Sequence, residues 1–192
     1  MFLKHGQSAL SKGLGVEFPQ SPSHIRLAAL AASCAGKCMP ELQTRPLFRI
    51  ELNLEPAMDA GTTPYGQRRI FPVAGGHFEG PRVRGDVLAT TSGDWLLTRQ
   101  DGAYQQDVRL LLRTHDDALI FMTYRGVRRP ASDEINARLA RGEPVDRNDY
   151  YLRIAPFFET AAPQHAWLNQ IVSVGMGERI GPNVAYDLFE IL

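Results

Sequence analysis

Between Tyr104 and Thr114 apolar and polar residues largely alternate, with Val108, Leu110 and Leu112 on one parity and Asp107, Arg109, Leu111 and Arg113 on the other. A period of two is the signature of a half-buried strand, because successive side chains leave an extended chain on opposite sides. Residues 47–55 repeat the pattern: Phe48, Ile50, Leu52 and Leu54 alternate with Arg49, Glu51, Asn53 and Glu55. Further extended runs are expected at 67–73, 83–90, 95–99, 119–124, 150–158, 168–174 and 186–192. The punctuation between them comes from glycine, proline, aspartate and asparagine. Residues 59–65 and 91–94 read as a loop and a turn. One helix is expected over 132–141: Ser132 is a suitable N-cap, Asp133 and Glu134 favour the first turn, and Gly142 and Pro144 stop it. Eight to ten strands with no strand–helix alternation predict an all-β fold. A single antiparallel β-barrel with one short helix in a connection fits best, since closure removes the edges that so many strands would expose.

The totals suit one domain with a sizeable core: 192 residues, 44% hydrophobic and 22% charged, with a formal net charge of zero. That balance argues against nucleic acid as a partner. No stretch reaches the roughly 18 apolar residues of a spanning helix, so no membrane is expected either. All three lysines and both cysteines lie in the first 38 residues, while every later basic residue is arginine. Residues 1–40 are therefore read as an extension or poorly packed arm, and 41–192 as the barrel. The small residues before Cys34 resemble the end of a secretion signal, but the apolar stretch is too short and is preceded by Pro19 and Pro22. A short helix over 23–35 is the plainer reading. Cys34 and Cys38 lack redox or zinc spacing, which makes cytoplasm the expected location.

The segment around Gly75-Gly76-His77-Phe78-Glu79-Gly80 is the first candidate site. His77 and Glu79 share one side of an extended chain, and a histidine oriented by a carboxylate is a reasonable general acid or base. The plainer alternative is that both satisfy turn amides, or that Glu79 pairs with Arg82 or Arg84. Asp94 beside Trp95 is the third candidate for catalysis. Buried next to an aromatic wall, its carboxyl would be driven toward the neutral form; exposed, it would cap a turn. For ligand binding, Arg109 and Arg153 are suited to clamp a carboxylate. Tyr124, Trp95, Trp167 and Asn169 offer a hydroxyl, two aromatic faces and an amide, and Arg109, Tyr124, Arg153 and Trp167 are expected around a barrel mouth. Asn169 has a competing role in tying down the loop before it. The pairs Arg68-Arg69 and Arg128-Arg129 read as solvated or salt-bridged. The histidines lack metal-ligand spacing, no GxSxG elbow occurs, and the paired glycines lack the following helix of a dinucleotide site. No metal and no cofactor is expected.

Several separate motifs then occur in a recognisable order: residues 69–81 (RIFPVAGGHFEGP), Gly93-Asp94-Trp95, Tyr124-Arg125-Gly126-Val127-Arg128, Phe158-Glu159-Thr160 and Trp167-Leu168-Asn169. Together they resemble the bacterial and fungal DUF3237 family, also called UPF0311, from about residue 47 to the C-terminus. The resemblance implies a small calycin-like β-barrel, often a homodimer, in a family whose members mostly lack an assigned activity. Asp117 stands where the family usually has a turn glycine, so a left-handed backbone would fall to an aspartate. The expectation that follows is a barrel binding a small organic ligand, with acid–base chemistry on an organic acid or cyclic compound. Its alternatives are a non-catalytic ligand-binding barrel and a dimeric scaffold.

Overall fold

The computed structural model describes residues 39–129 and 131–192. The arm expected over 1–40, its helix and its cysteines lie outside the described residues, apart from its last two positions. Among the described residues, nine strands form one antiparallel sheet: β1 (Thr44–Leu54), β2 (Met58–Thr63), β3 (Gly66–Glu79), β4 (Arg84–Thr98), β5 (Tyr104–Thr114), β6 (Leu119–Arg128), β7 (Leu152–Glu159), β8 (Ser173–Ile180) and β9 (Asn183–Ile191). Strand β1 pairs with both β9 and β3, which closes eight strands into a barrel; β2 lies outside the ring as a hairpin on the first half of β3. The helix α1 (Asp133–Ala140) sits in the connection from β6 to β7, capped by Ser132, whose hydroxyl accepts from the Ile135 amide at 3.2 Å.

The alternation seen in the sequence places the core. Ile50, Leu52, Leu110, Leu112, Ile120, Met122, Leu152 and Leu188 all point inward and are essentially inaccessible to solvent. At one end Phe48 meets Phe78 and Phe158 at ring separations of 5.3 and 5.7 Å, within the range of favourable aromatic pairs. This end is filled. The other end holds a cavity.

Three local expectations are corrected. The loop expected over 59–65 is largely strand β2, paired with β3 from Met58↔Ile70 to Thr63↔Gly66. The glycine segment is extended, as the second half of β3, with an irregular register between Pro72 and Gly76. Gly76 has φ +151°, and an added Cβ would clash with the Glu51 carbonyl on β1; only glycine fits where β1 crosses so closely. The turn expected over 91–94 is a bulge inside the continuous β4, where Ser92 Oγ donates to the Leu88 carbonyl at 2.6 Å and accepts from the Leu111 amide at 3.2 Å. The strand expected over 168–174 starts later: residues 168–170 end a 3-10 helix, Pro163–Gln170, whose Leu168 is buried, and β8 begins only at Ser173. A short apolar run does not by itself distinguish strand from helix. Asp117 does adopt the left-handed conformation, with φ 60°.

Candidate functional site

Inward positions near the open end build the cavity, and the sheet register sorts them into layers. Asp94 pairs with Phe71 on one side and Val108 on the other, and Val108 pairs with Tyr124, so Phe71, Asp94, Val108 and Tyr124 form one row of the wall. Further toward the opening, Tyr104 pairs with Arg128 and Arg128 with Leu152. Arg69 stands on β3 two residues before Phe71, and Arg179 faces Val184 across β8 and β9. Leu139 and Asn136 of α1 contribute from above. The enclosed volume is about 320 Å³, at the small end of ligand sites.

Two positions beside the cavity lack side chains, and neighbouring side chains fill the room they leave. An added Cβ at Gly177 would come within 2.5 Å of Leu152 and 2.7 Å of Tyr186; at Gly126 it would meet Ile154 at 2.5 Å. The vacated volume accommodates the Tyr186 ring, which packs edge-on against Tyr124 at 5.4 Å and whose hydroxyl accepts from Gln106 Nε2 at 2.7 Å. Burial pushes both phenols well above their ordinary range, so they are neutral hydroxyls at any physiological pH.

The charges are unusual in their lack of partners. Arg69, Arg128 and Arg179 all line the cavity, and among the described residues none of them pairs with a carboxylate. Arg128 lies over the Tyr104 ring at 3.9 Å, while Arg179 donates to the Pro182 carbonyl at 2.8 Å. Arg69 Nε is buried with no hydrogen-bond partner. Burial lowers the pKa of Arg128 and of Arg179, and a neighbouring guanidinium lowers each further: Arg69 beside Arg128, and Arg128 beside Arg179. Among the described residues, the one carboxyl in the lining is Asp94. Its Oδ1 accepts from the Asp107 amide at 3.2 Å, but desolvation outweighs that bond and, aided by the Asp107 charge, raises the pKa from 3.8 to about 7. A cavity with three unpaired cations and an acid poised near neutrality suits an anion that accepts or loses a proton.

Of the residues singled out in the sequence, Asp94 and Tyr124 line this cavity; the others stand elsewhere. His77 and Glu79 do share a face, but it is the outer one, and both are exposed on either side of buried Phe78. Arg82 pairs with Glu190 rather than Glu79. Trp95 points outward from β4 with Arg109 over its ring at 5.3 Å, and Arg109 pairs with Asp107. Arg153, also outward, donates to the Leu152 carbonyl. Trp167 lies on the 3-10 helix, covered by Arg82 at 3.4 Å. Thus Arg109, Arg153 and Trp167 do not gather with Tyr124 around a mouth. Asn169 brackets Thr160, accepting from its amide and donating to its carbonyl at 2.9 Å each, which is the loop-tying role.

Conversely, Arg69 and Arg128, read as surface charges, turn inward, and Arg179, Gln106 and Tyr186 carry no local motif. Strand parity was the available signal: Arg69 shares a face with Phe71 and Val73, and Arg128 with Tyr124 and Met122. Among the described residues, no group of three metal-ligating side chains is placed to hold an ion, and no helix is long and apolar enough to cross a membrane.

Comparison with known proteins places this barrel. The family described as "Protein of unknown function (DUF3237)" matches residues 42–191. A UPF0311 protein of Rhodopseudomonas palustris is 32% identical over 153 residues, spanning 80% of this chain and 99% of its own; its crystal structure superposes with a TM-score of 0.75. A beta-barrel like protein from Acinetobacter baumannii is 38% identical, with a TM-score of 0.69 over 81% of this chain and 99% of its own. An enzyme from Penicillium herquei shares the fold at 19% identity and a TM-score of 0.61, covering 82% of this chain and 99% of its own. The chain belongs to the DUF3237 family.

Proposed function

We propose that this DUF3237 barrel binds a small organic anion in its end cavity and that Asp94 serves as the proton-transfer group toward the bound molecule. The observation that carries this reading is the trio Arg69, Arg128 and Arg179 lining one small cavity without a carboxylate partner. Guanidinium groups crowded together raise one another's electrostatic energy, and a bound carboxylate relieves that while accepting their directed N–H groups. Tyr104, Phe71 and Leu152 supply apolar walls for the remainder of the ligand. Asp94, held near its neutral form, donates a proton to a ligand oxygen or, once ionised, removes one. The same barrel serves an enzyme in Penicillium herquei, so the fold is compatible with chemistry. His77 and Glu79, on the outer face, have no part in this reading.

The test is calorimetric titration of the full-length chain with a panel of small carboxylic acids and their uncharged amides. Acids bind and amides do not. Replacing Arg128 by Gln removes a charge-assisted contact and weakens acid binding about 10- to 100-fold, the equivalent of roughly 1.5–3 kcal/mol. Equal binding of acids and amides overturns the reading.

A further inference from the structure

Asp94 has one oxygen engaged and one free. Its Oδ1 takes the Asp107 amide at 3.2 Å, and no described residue donates to Oδ2. The charged and titratable groups around it come from four strands: Arg68 on β3, Asp107 on β5, Tyr124 on β6 and Tyr186 on β9. Arg68 is committed to the Trp95 carbonyl, and Tyr186 to Gln106. Among the described residues the second carboxyl oxygen is left without a donor.

Its place in the cavity is set by register. Asp94 lies in the row of Tyr124, whereas Arg128 stands four residues further along β6 toward the opening. Four residues of strand rise by about 13 Å, and at the usual tilt of a barrel strand that is roughly 10 Å of depth. An anion held by Arg128 at the opening thus leaves its far end, not its head, against Asp94, while Arg69 stands only two residues from the Asp94 level. Phe71 lies level with Asp94, and Tyr104 and Leu152 level with Arg128; between the two levels stand Leu96, Arg69 and Gln106.

We propose, resting on the anion-binding reading above, that the cavity recognises its ligand at both ends: an oxo- or hydroxy-substituted ring acid, its carboxylate at the rim arginines and its distal oxygen on Asp94 Oδ2. The neutral acid donates to a ligand carbonyl, and the carboxylate accepts from a ligand hydroxyl. Titration of Asp94 near neutrality makes the preference depend on pH: carbonyl-tipped acids are favoured on the acid side and hydroxyl-tipped acids on the alkaline side.

The probes are benzoate and its meta- and para-acetyl and -hydroxy derivatives, titrated calorimetrically into the full-length protein at about pH 5.5 and about pH 8.5, on either side of the Asp94 transition. At the lower pH an acetylbenzoate binds about ten-fold tighter than benzoate, the worth of one hydrogen bond to an acid. That advantage is lost at the higher pH, where a hydroxybenzoate takes it over. In Asp94→Asn, whose amide does not titrate, the pH dependence of the preference disappears. If benzoate binds but the substituents change nothing, or if the preference shifts with pH as strongly in Asp94→Asn, this inference is wrong while the anion site stands. If no ring acid binds at either pH, the anion-binding reading itself fails and takes this one with it.

Discussion

Replacing Asp94 by Asn is expected to stabilise the protein, by an amount that grows with pH. The carboxyl has an ordinary value of 3.8 and is raised to about 7 in the fold, chiefly by desolvation. A difference of that size corresponds to about 4 kcal/mol of preference for the neutral form. Because the group lines an open cavity and is only half-buried, water screens part of it, leaving roughly 2–3 kcal/mol. The folded state binds the proton more tightly than the unfolded state, so the favourable contribution is complete below 3.8 and is lost as pH rises through about 7. Asparagine keeps the shape and can still accept from the Asp107 amide, but it has no proton to lose. Urea denaturation of both proteins at a series of pH values isolates the effect, since other titrating groups cancel in the difference. That difference should be small near pH 4 and reach roughly 2–3 kcal/mol near pH 8, or about 5–10 °C in Tm for a domain of this size. A difference that stays constant between those limits would show that Asp94 is not held near neutrality, and the electrostatic argument for the site would fail.

Gly177→Ala places a methyl within 2.5 Å of Leu152 and 2.7 Å of Tyr186, and overpacking of this kind costs about 1–3 kcal/mol, read from denaturant unfolding. Ligand affinity should fall with it, because the Tyr186 ring has nowhere to move except into the cavity. His77→Ala, at an exposed outer position, should change stability by no more than about 0.5 kcal/mol and leave acid binding unaltered in calorimetry; a ten-fold loss of affinity would return the site to the glycine segment. Asn169→Ala removes both bonds to the Thr160 backbone and should cost roughly 1–3 kcal/mol in thermal unfolding, with no effect on ligand affinity.

Much of the barrel is legible without coordinates because its determinants are local. The parity of β1 and β5 is written in residues two apart, and it correctly assigns Ile50, Leu52, Leu110 and Leu112 to the interior. The same holds for α1, whose cap, acidic first turn and terminating glycine lie within eleven residues. Parity also marked Arg109 as outward, opposite to Val108 and Leu110; choosing it for a carboxylate clamp weighed residue type above face.

Other features are beyond any local rule. The irregular register between Leu88 and Gly93 lets β4 run through a segment that reads as a turn, because a bulge is stabilised by the neighbouring strand rather than by its own residues. The candidate site is the clearest case. Asp94 and Tyr124 were visible as individuals, but the cavity depends on Arg69, Arg128 and Arg179 converging from β3, β6 and β8. Alternation, capping and family motifs are short-range properties, so the sequence by itself determines an antiparallel barrel with a short helix over the β6–β7 connection. Which end of that barrel stays open, which arginines are left without partners there, and how far Asp94 is desolvated are sums over strands distant in sequence, and only the closed sheet decides them.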